Sequence, residues 1–194
     1  MVEYTSRTAL IIVDVQNDFA DPSGALYVRD GAQVVPLVNA EVGRAQDAGA
    51  FVAYTQDWHP EHTPHFEQDG GVWPVHCVQE TWGAELHPQL EVDGPVVRKG
   101  RSGEDGYSGF SVRDLSTTAT HPTELESLLR SRDIAAVVVV GLATDYCVRE
   151  TALDAVRLGF DTTLLTDAVR AVDLEAGDGE RAIEAMRQAG VHIA

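Results

Sequence analysis

The stretch that decides the fold is Ala-Ala-Val-Val-Val-Val-Gly-Leu-Ala-Thr-Asp-Tyr-Cys, residues 135–147. It begins with the most hydrophobic run of the chain, 135–140, and a continuous apolar run of this length predicts a strand buried on both faces. A glycine-containing turn at 141–145 follows, and the spacing beyond it predicts a helix over about 146–158. A strand that passes through a short turn into a helix is the repeating unit of a parallel α/β sheet.

The same alternation of strand and helix runs along the rest of the chain. Hydrophobic runs predict strands at 8–14, 51–56, 95–98, 135–140, 161–166 and 191–193. Helical spacing predicts helices at 34–48, at 123–130 with Pro122 as the first helical residue, at 146–158 and at 178–189. We therefore expect an α/β fold, a doubly wound and mainly parallel sheet with helices on both faces, built as a single domain over residues 1–194.

The composition of the chain argues against several classes of partner. Its 194 residues include 31 acidic and 14 basic side chains, for a formal net charge of −17, whereas nucleic acids and anionic membranes need a positive surface. No apolar run is long enough to cross a bilayer and the N-terminus lacks the features of a secretion signal, so a cytoplasmic protein is expected. The two cysteines are too few for a disulfide framework, and the composition leaves open whether the chain forms a homo-oligomer.

Four chemically useful residues each follow a predicted strand: Asp14, Asp57, Lys99 and Cys147. In a doubly wound sheet the working groups gather at the carboxyl ends of the strands, because the connecting loops meet there. We therefore expect these four side chains to lie close together at one edge of the sheet.

Three of these residues have a structural interpretation as well as a chemical one. Cys147 at the start of a helix would have a stabilised thiolate and nearby N–H groups for an oxyanion, but a free cysteine is as often a small core residue. Asp14 would be desolvated at the end of an apolar strand and could exchange protons with the thiol, although aspartate is also a common turn residue. Lys99, the only lysine of the chain, would hold both charges in place; otherwise it is a surface lysine.

A second group of residues, in the long loop region after the second strand, has the composition of a metal site. Asp57 and His59 are separated by one residue and would point to the same side of an extended segment, and a loop could fold His65 and His76 back onto them. Three imidazoles and a carboxylate suit one divalent ion, and the pattern does not distinguish zinc, iron or manganese. His62 competes with His65 as a ligand, and a closed, purely structural zinc site remains an alternative.

Short motifs carried by these residues resemble, in order and spacing, the nicotinamidases within the isochorismatase-like family of cysteine hydrolases. The motifs are Asp14-Val-Gln-Asn-Asp18-Phe19, Asp57-Trp58-His59, His65-Phe66, Trp73-Pro74-Val75-His76-Cys77, Lys99-Gly100, Tyr107-Ser108-Gly109-Phe110 and Gly141-Leu142-Ala143-Thr144-Asp145-Tyr146-Cys147-Val148. The resemblance covers most of the chain and implies the isochorismatase-like hydrolase fold.

The resemblance also implies a role for each residue of the first group. Cys147 would attack the carboxamide carbon of nicotinamide, Asp14 would shuttle the proton, and Lys99 would orient Asp14 and lower the pKa of the thiol. A cis peptide bond is expected between Leu142 and Ala143, and the N–H groups of Ala143 and Cys147 would hold the oxyanion. Ammonia would leave, and water would hydrolyse the thioester to nicotinate, a step of NAD salvage.

The metal segment distinguishes the nicotinamidases from relatives that share only the catalytic residues. By resemblance the metal ligands are Asp57, His59, His65 and His76, with His65 favoured over His62. The walls around the substrate ring would be Phe19, Trp73 and Tyr107. Pyrazinamide should also be a substrate; the alternatives are hydrolysis of another small amide or of a vinyl ether, and a binding domain without activity.

Overall fold

A computed structural model describes residues 2–194, and its largest element is a six-stranded sheet in which every neighbouring pair of strands is parallel. The strands, in chain order, are β1 (Thr8–Val13), β2 (Phe51–Asp57), β3 (Val96–Lys99), β4 (Ser111–Arg113), β5 (Thr120–Pro122), β6 (Ala136–Leu142), β7 (Asp161–Arg170) and β8 (His192–Ile193). The sheet has the order β3-β2-β1-β6-β7-β8, and β4 and β5 form a separate antiparallel hairpin.

Helices cover both faces of the sheet, as the alternation predicts. They are α1 (Asn17–Ala20), α2 (Val34–Asp47), α3 (Leu125–Arg130), α4 (Arg149–Arg157) and α5 (Asp178–Gln188). Along β1, Leu10 and Ile12 pack in the same core as α2, whereas Ala9, Ile11 and Val13 pack with α3, α4 and α5. Successive residues of a strand point to opposite faces, so this buried strand supplies apolar side chains to both cores.

The strand order reverses direction between β1 and β6, and this reversal positions the site. The chain leaves β1 for β2 and β3 on one side, and β6 for β7 and β8 on the other. The connections that follow β1 and β6 therefore diverge and leave a crevice at the carboxyl ends of these strands. Gly141 makes the close approach there possible, because its φ is +113° and a Cβ atom would lie 2.1 Å from the Val13 carbonyl oxygen.

The structure corrects the prediction that Pro122 begins a helix. Pro122 ends β5, where it pairs with Ser111, and α3 begins only at Leu125. A proline has no N–H to donate but fits a short edge strand. The Thr123 hydroxyl accepts a hydrogen bond from the Leu125 N–H (3.2 Å), which satisfies one of the free donors at the start of the helix.

Two further differences from the predicted boundaries concern β7 and the helix after β6, whereas the remaining boundaries differ by at most two residues. β7 continues four residues beyond 166 to Arg170, after an irregularity in its register with β6 between Val139 and Gly141. The helix predicted from about 146 begins as a π-helical turn, Thr144–Val148, which continues directly into α4. No helix within residues 2–194 combines the length and the apolar character that a membrane span requires.

Candidate active site

The four residues that follow predicted strands meet at the carboxyl edge of the sheet. Lys99 Nζ lies 2.7 Å from Asp14 Oδ2 and 3.6 Å from Cys147 Sγ, and it also contacts Asp57 Oδ1. All four side chains are buried. This grouping is what the strand ends predict, and it places a thiol, an ammonium group and two carboxylates within one contact network.

Lys99 is a fully buried cation at the centre of this network. Its ammonium group donates to the Gly106 carbonyl oxygen in addition to its contacts with Asp14 and Asp57. Burial alone would lower the pKa of Lys99, but the neighbouring carboxylates raise it well above its usual value. Lys99 is therefore charged, and it is not the surface lysine of the alternative interpretation.

Asp14 has the environment of a group that exchanges protons near neutral pH. It follows β1 with a φ of 48°, and its Oδ1 accepts a hydrogen bond from the Thr55 hydroxyl (2.6 Å). Burial raises the pKa of Asp14 to about 6 even though Lys99 opposes the shift. The desolvation expected from the sequence is thus present.

Cys147 lies in the π-helical turn after β6, and its resting form is the neutral thiol. Burial raises the pKa of Cys147 well above its usual value, and the Asp14 and Asp57 carboxylates add to this effect. Lys99 does lower the pKa of the thiol, as expected, but its effect is the smaller one. The lowering by Lys99 that was expected is present but does not outweigh burial, so the thiolate needs a base to form it.

The backbone before Cys147 has the conformation that the resemblance implies. The peptide bond between Leu142 and Ala143 is cis. The Ala143 carbonyl oxygen accepts hydrogen bonds from the N–H groups of Tyr146 and Val148, both at 3.1 Å, and Ala143 and Cys147 line the same cavity.

Three buried histidines, His59, His65 and His76, form a cluster beside these residues. Each offers a ring nitrogen within 4.8 Å of the others, and Asp57 Oδ2 lies 3.9 Å from His59 Nε2. Lys99 and His59 hold the pKa of Asp57 well below its usual range although burial opposes them. The Asp57 carboxylate is therefore ionised beside His59, while the group of potential ligand atoms within 4.8 Å of one another comprises the three histidines without Asp57.

The hydrogen bonds of the histidines leave nitrogen atoms free toward the cluster. His65 Nδ1 donates to Asp105 Oδ1 (2.5 Å), and His76 Nδ1 donates to the Pro74 carbonyl oxygen (2.7 Å). Neither ring nitrogen of His59 has a hydrogen-bond partner within residues 2–194. Burial lowers the pKa of His76 to about 4, so its ring is neutral. Unpartnered buried nitrogens, three imidazoles and one carboxylate fit a divalent first-row metal ion.

His62 lies outside this cluster. Its side chain is 74% exposed and its Nδ1 is 3.2 Å from Asp69 Oδ1 at the surface. Of the two candidates, the structure brings only His65 together with His59 and His76.

The thiol and the histidine cluster face one cavity with aromatic walls. The three aromatic residues predicted for the substrate ring all line it: Phe19, Trp73 and Tyr107. Trp73 Nε1 donates to the Tyr107 hydroxyl (2.8 Å), and the Trp73 ring meets that of Tyr146 edge to face with centroids 4.9 Å apart. The remaining apolar lining includes Leu26, Val28 and Val172, which the sequence does not single out.

Three supporting residues also escape sequence reasoning. Thr55 holds Asp14, and Asp105 holds His65. The Gln16 amide spans the backbone of Asp57, accepting from its N–H and donating to its C=O, both at 2.8 Å. Gln16 stands in the first motif and Thr55 in the strand before Asp57, but nothing in the sequence marks their partners.

Comparisons with known proteins agree with this geometry. A model of the Isochorismatase domain matches residues 8–194. The nicotinamidase of Escherichia coli is 37% identical over 203 residues, covering 95% of this chain and 93% of that protein. The nicotinamidase/pyrazinamidase of Mycobacterium tuberculosis is 40% identical over 190 residues, covering 95% of this chain and 97% of that protein.

Solved structures are similar over the same length. The pyrazinamidase of Pyrococcus horikoshii in complex with zinc matches with a TM-score of 0.86 and 41% identity, covering 97% of this chain and 98% of that one. PnC1 from L. infantum in complex with nicotinate matches with a TM-score of 0.89 and 36% identity, covering 100% of this chain and 95% of that one. The chain therefore belongs to the isochorismatase family.

Proposed function

We propose that this chain is a nicotinamidase, a metal-dependent cysteine amidohydrolase that converts nicotinamide and water to nicotinate and ammonia in NAD salvage. The observation that carries the proposal is that Cys147 and the three-histidine cluster line the same aromatic cavity. The names of the relatives support the substrate, since they include nicotinamidases and a structure with bound nicotinate. A thiol nucleophile needs at most one imidazole as its base, so three clustered imidazoles beside Cys147 favour a further role in binding a metal ion.

In the first half of the reaction the thiol adds to the amide. Asp14 takes the proton of Cys147 and Sγ attacks the carboxamide carbon, while the N–H groups of Ala143 and Cys147 hold the oxyanion. Lys99, at 2.7 Å from Asp14 and 3.6 Å from Sγ, keeps the carboxylate oriented and stabilises the thiolate as it forms. A base with a pKa of about 6 suits this proton transfer near neutral pH.

In the second half the leaving group departs and the thioester is hydrolysed. Asp14 returns its proton to the amide nitrogen as the C–N bond breaks, and ammonia leaves. Asp14 then takes a proton from water, the hydroxyl oxygen attacks the thioester carbon, and the C–S bond breaks. The product acid is released and Cys147 recovers its proton.

Asp57, His59, His65 and His76 would hold one divalent ion in this site. When bound, that ion supplies a Lewis acid that accepts the ring nitrogen of the substrate and withdraws electrons from the carbonyl carbon. The zinc complex of the P. horikoshii relative supports a divalent ion, and zinc, iron and manganese all suit this ligand set. Phe19, Trp73 and Tyr107 would enclose the ring, and pyrazinamide, which has the same amide and ring nitrogen, would also be a substrate.

Ammonia release from three amides tests the proposal. Nicotinamide and pyrazinamide should be hydrolysed, whereas benzamide, which matches nicotinamide in shape but lacks the ring nitrogen, should have a kcat/KM lower by on the order of 100-fold. A kcat/KM for benzamide equal to that for nicotinamide would show that the ring nitrogen has no role in binding or catalysis. Absence of ammonia from nicotinamide with the metal-loaded protein would refute the proposed function.

A further inference from the structure

The segment Asp105-Gly106-Tyr107 contacts three separate parts of the site. The Asp105 carboxylate accepts from His65 Nδ1 (2.5 Å), the Gly106 carbonyl oxygen accepts from Lys99, and the Tyr107 hydroxyl accepts from Trp73 (2.8 Å). The last two contacts involve residues whose positions other groups also fix. The contact between Asp105 and His65 is the one of the three that reaches the histidine cluster.

Among the three clustered histidines, His65 alone depends on another side chain for its orientation. His76 donates to the backbone carbonyl of Pro74, two residues away, so its ring is held by its own loop. His59 has no partner at either ring nitrogen within the described part of the chain. His65 donates to a carboxylate forty residues further along, and the two side chains are only 5% and 17% exposed.

The backbone of Asp105 is itself fixed by the β4–β5 hairpin. Its N–H donates to the Arg113 carbonyl oxygen (2.9 Å), and its carbonyl oxygen accepts from the Arg113 N–H (2.8 Å). Arg113 is the last residue of β4 and pairs with Thr120 of β5. These two hydrogen bonds restrain the Asp105 backbone against the hairpin, from which its carboxylate reaches His65.

We propose that Asp105 is a positioning residue for the metal site: by accepting the Nδ1–H of His65, it fixes the tautomer and the ring orientation that turn Nε2 toward His59 and His76. Second partners of this kind orient metal-binding imidazoles and make them better ligands. The inference rests on the proposed function, since it assumes that the cluster holds a divalent ion. It adds a residue outside the ligand set and gives the β4–β5 hairpin a part in the site.

Zinc titration against a competing chelator of known affinity, on the metal-free protein, tests this inference. Asp105→Ala removes the acceptor and should weaken zinc binding by on the order of 10- to 100-fold. Asp105→Asn keeps an acceptor oxygen at the same position and should recover most of the loss. Glu104→Ala is the matched control, because this neighbouring acid contacts the Ser102 N–H rather than a histidine, and its zinc affinity should equal that of the wild type.

The outcomes separate this inference from the proposed function. Wild-type zinc affinity in Asp105→Ala would refute the positioning role without affecting the proposed metal site. An Asp105→Asn protein that binds zinc no better than Asp105→Ala would have the same consequence. If the unmodified protein itself binds no zinc, iron or manganese, the metal site and this inference fall together. Thermal unfolding of the metal-free variants shows whether each is folded; were Asp105→Ala unfolded, Asp105→Leu, which also removes the acceptor, would take its place in the zinc titration.

Discussion

Replacement of Asp14 by asparagine should abolish activity and, at neutral pH, make the metal-free protein more stable. Asp14 is fully buried, and burial gives its carboxyl a pKa of about 6 in the folded chain against a usual 3.8. Because the folded state binds the proton more tightly than the unfolded state does, ionising this carboxyl opposes folding. A difference of about two pKa units corresponds to roughly 3 kcal/mol at pH values above 6.

The sign and the pH window of this effect follow from the same pKa values. Below about pH 4 the carboxyl is protonated in both states, and the wild type and Asp14→Asn should be equally stable. Between pH 4 and 6 the wild type loses stability relative to the variant as the pH rises, and above pH 6 the difference should stay near 3 kcal/mol. An asparagine can turn its Oδ1 toward Lys99 and its Nδ2 toward the Thr55 hydroxyl oxygen, which can accept as well as donate, so both partners of Asp14 keep a hydrogen bond.

Urea unfolding of the metal-free proteins at several pH values measures this difference, with unchanged m values confirming that the unfolding transition is comparable. Asp18→Asn is the control: Asp18 is also buried, but its two oxygens accept from the backbone N–H groups of Ala25 (2.9 Å) and Cys77 (2.7 Å). Because asparagine has only one acceptor oxygen there, this variant should be destabilised by about 1–3 kcal/mol. An Asp14→Asn protein that is less stable than the wild type at pH 7, or whose stability difference does not change with pH, would refute the reasoning.

Further expectations follow from the contacts of single residues. Cys147→Ala should lower kcat to background, while the metal content measured by elemental analysis stays unchanged. Retained turnover would contradict a mechanism through a Cys147 thioester. His59→Ala should weaken metal and nicotinamide binding together, because the ring nitrogens of His59 have no hydrogen-bond partner and are available to a metal ion. Unchanged metal content in this variant would show that His59 is not a ligand. Lys99→Met leaves the carboxylates of Asp14 and Asp57 without their buried cation and should destabilise the fold by roughly 3–5 kcal/mol in urea unfolding; a loss below about 1 kcal/mol would contradict the central role of the cation. The kcat/KM of the wild type should fall tenfold per pH unit below an apparent pKa near 6, as Asp14 takes up its proton, and a flat acid limb would exclude Asp14 as the base.

The strand ends could be predicted from the sequence because burial on both faces leaves a simple signal. A parallel strand inside a doubly wound sheet is a continuous apolar run, and the first polar residue after it marks the carboxyl edge. Asp14 is the first polar residue after β1, whereas Lys99 ends β3 and Cys147 lies five residues after the end of β6; the structure brings all three together. The histidine cluster could not be predicted in the same way, because the spacing of residues in an irregular loop does not show whether His62 or His65 joins His59 and His76.

The β4–β5 hairpin could not be predicted because it lacks any such signal. Its strands have three residues each, and β5 is exposed along its whole length, so no hydrophobic alternation marks it. The same limit hides the contact between Asp105 and His65, which depends on how two long loops fold against each other. β7 likewise continues beyond 166 through the exposed Asp167, where a polar residue wrongly suggests the end of the strand.

The direction of the pKa shift of Cys147 shows a different limit of prediction from the sequence. Position at a strand-to-helix turn near a lysine favours a thiolate, and Lys99 does act in that direction. The larger opposing effect comes from how completely the fold buries the thiol, and burial is a property of the whole packing. In the proposed mechanism Asp14 would therefore generate the nucleophile during the reaction, because burial raises the pKa of the Cys147 thiol.

Release of ammonia from nicotinamide by the purified protein, before chelation, after chelation and after adding back zinc, iron or manganese, tests the central claim most directly. We expect turnover that is lost when the ion is removed and restored by at least one of these ions, because the thiol and the histidine cluster line the same cavity. Undiminished turnover by the metal-free protein would contradict the account.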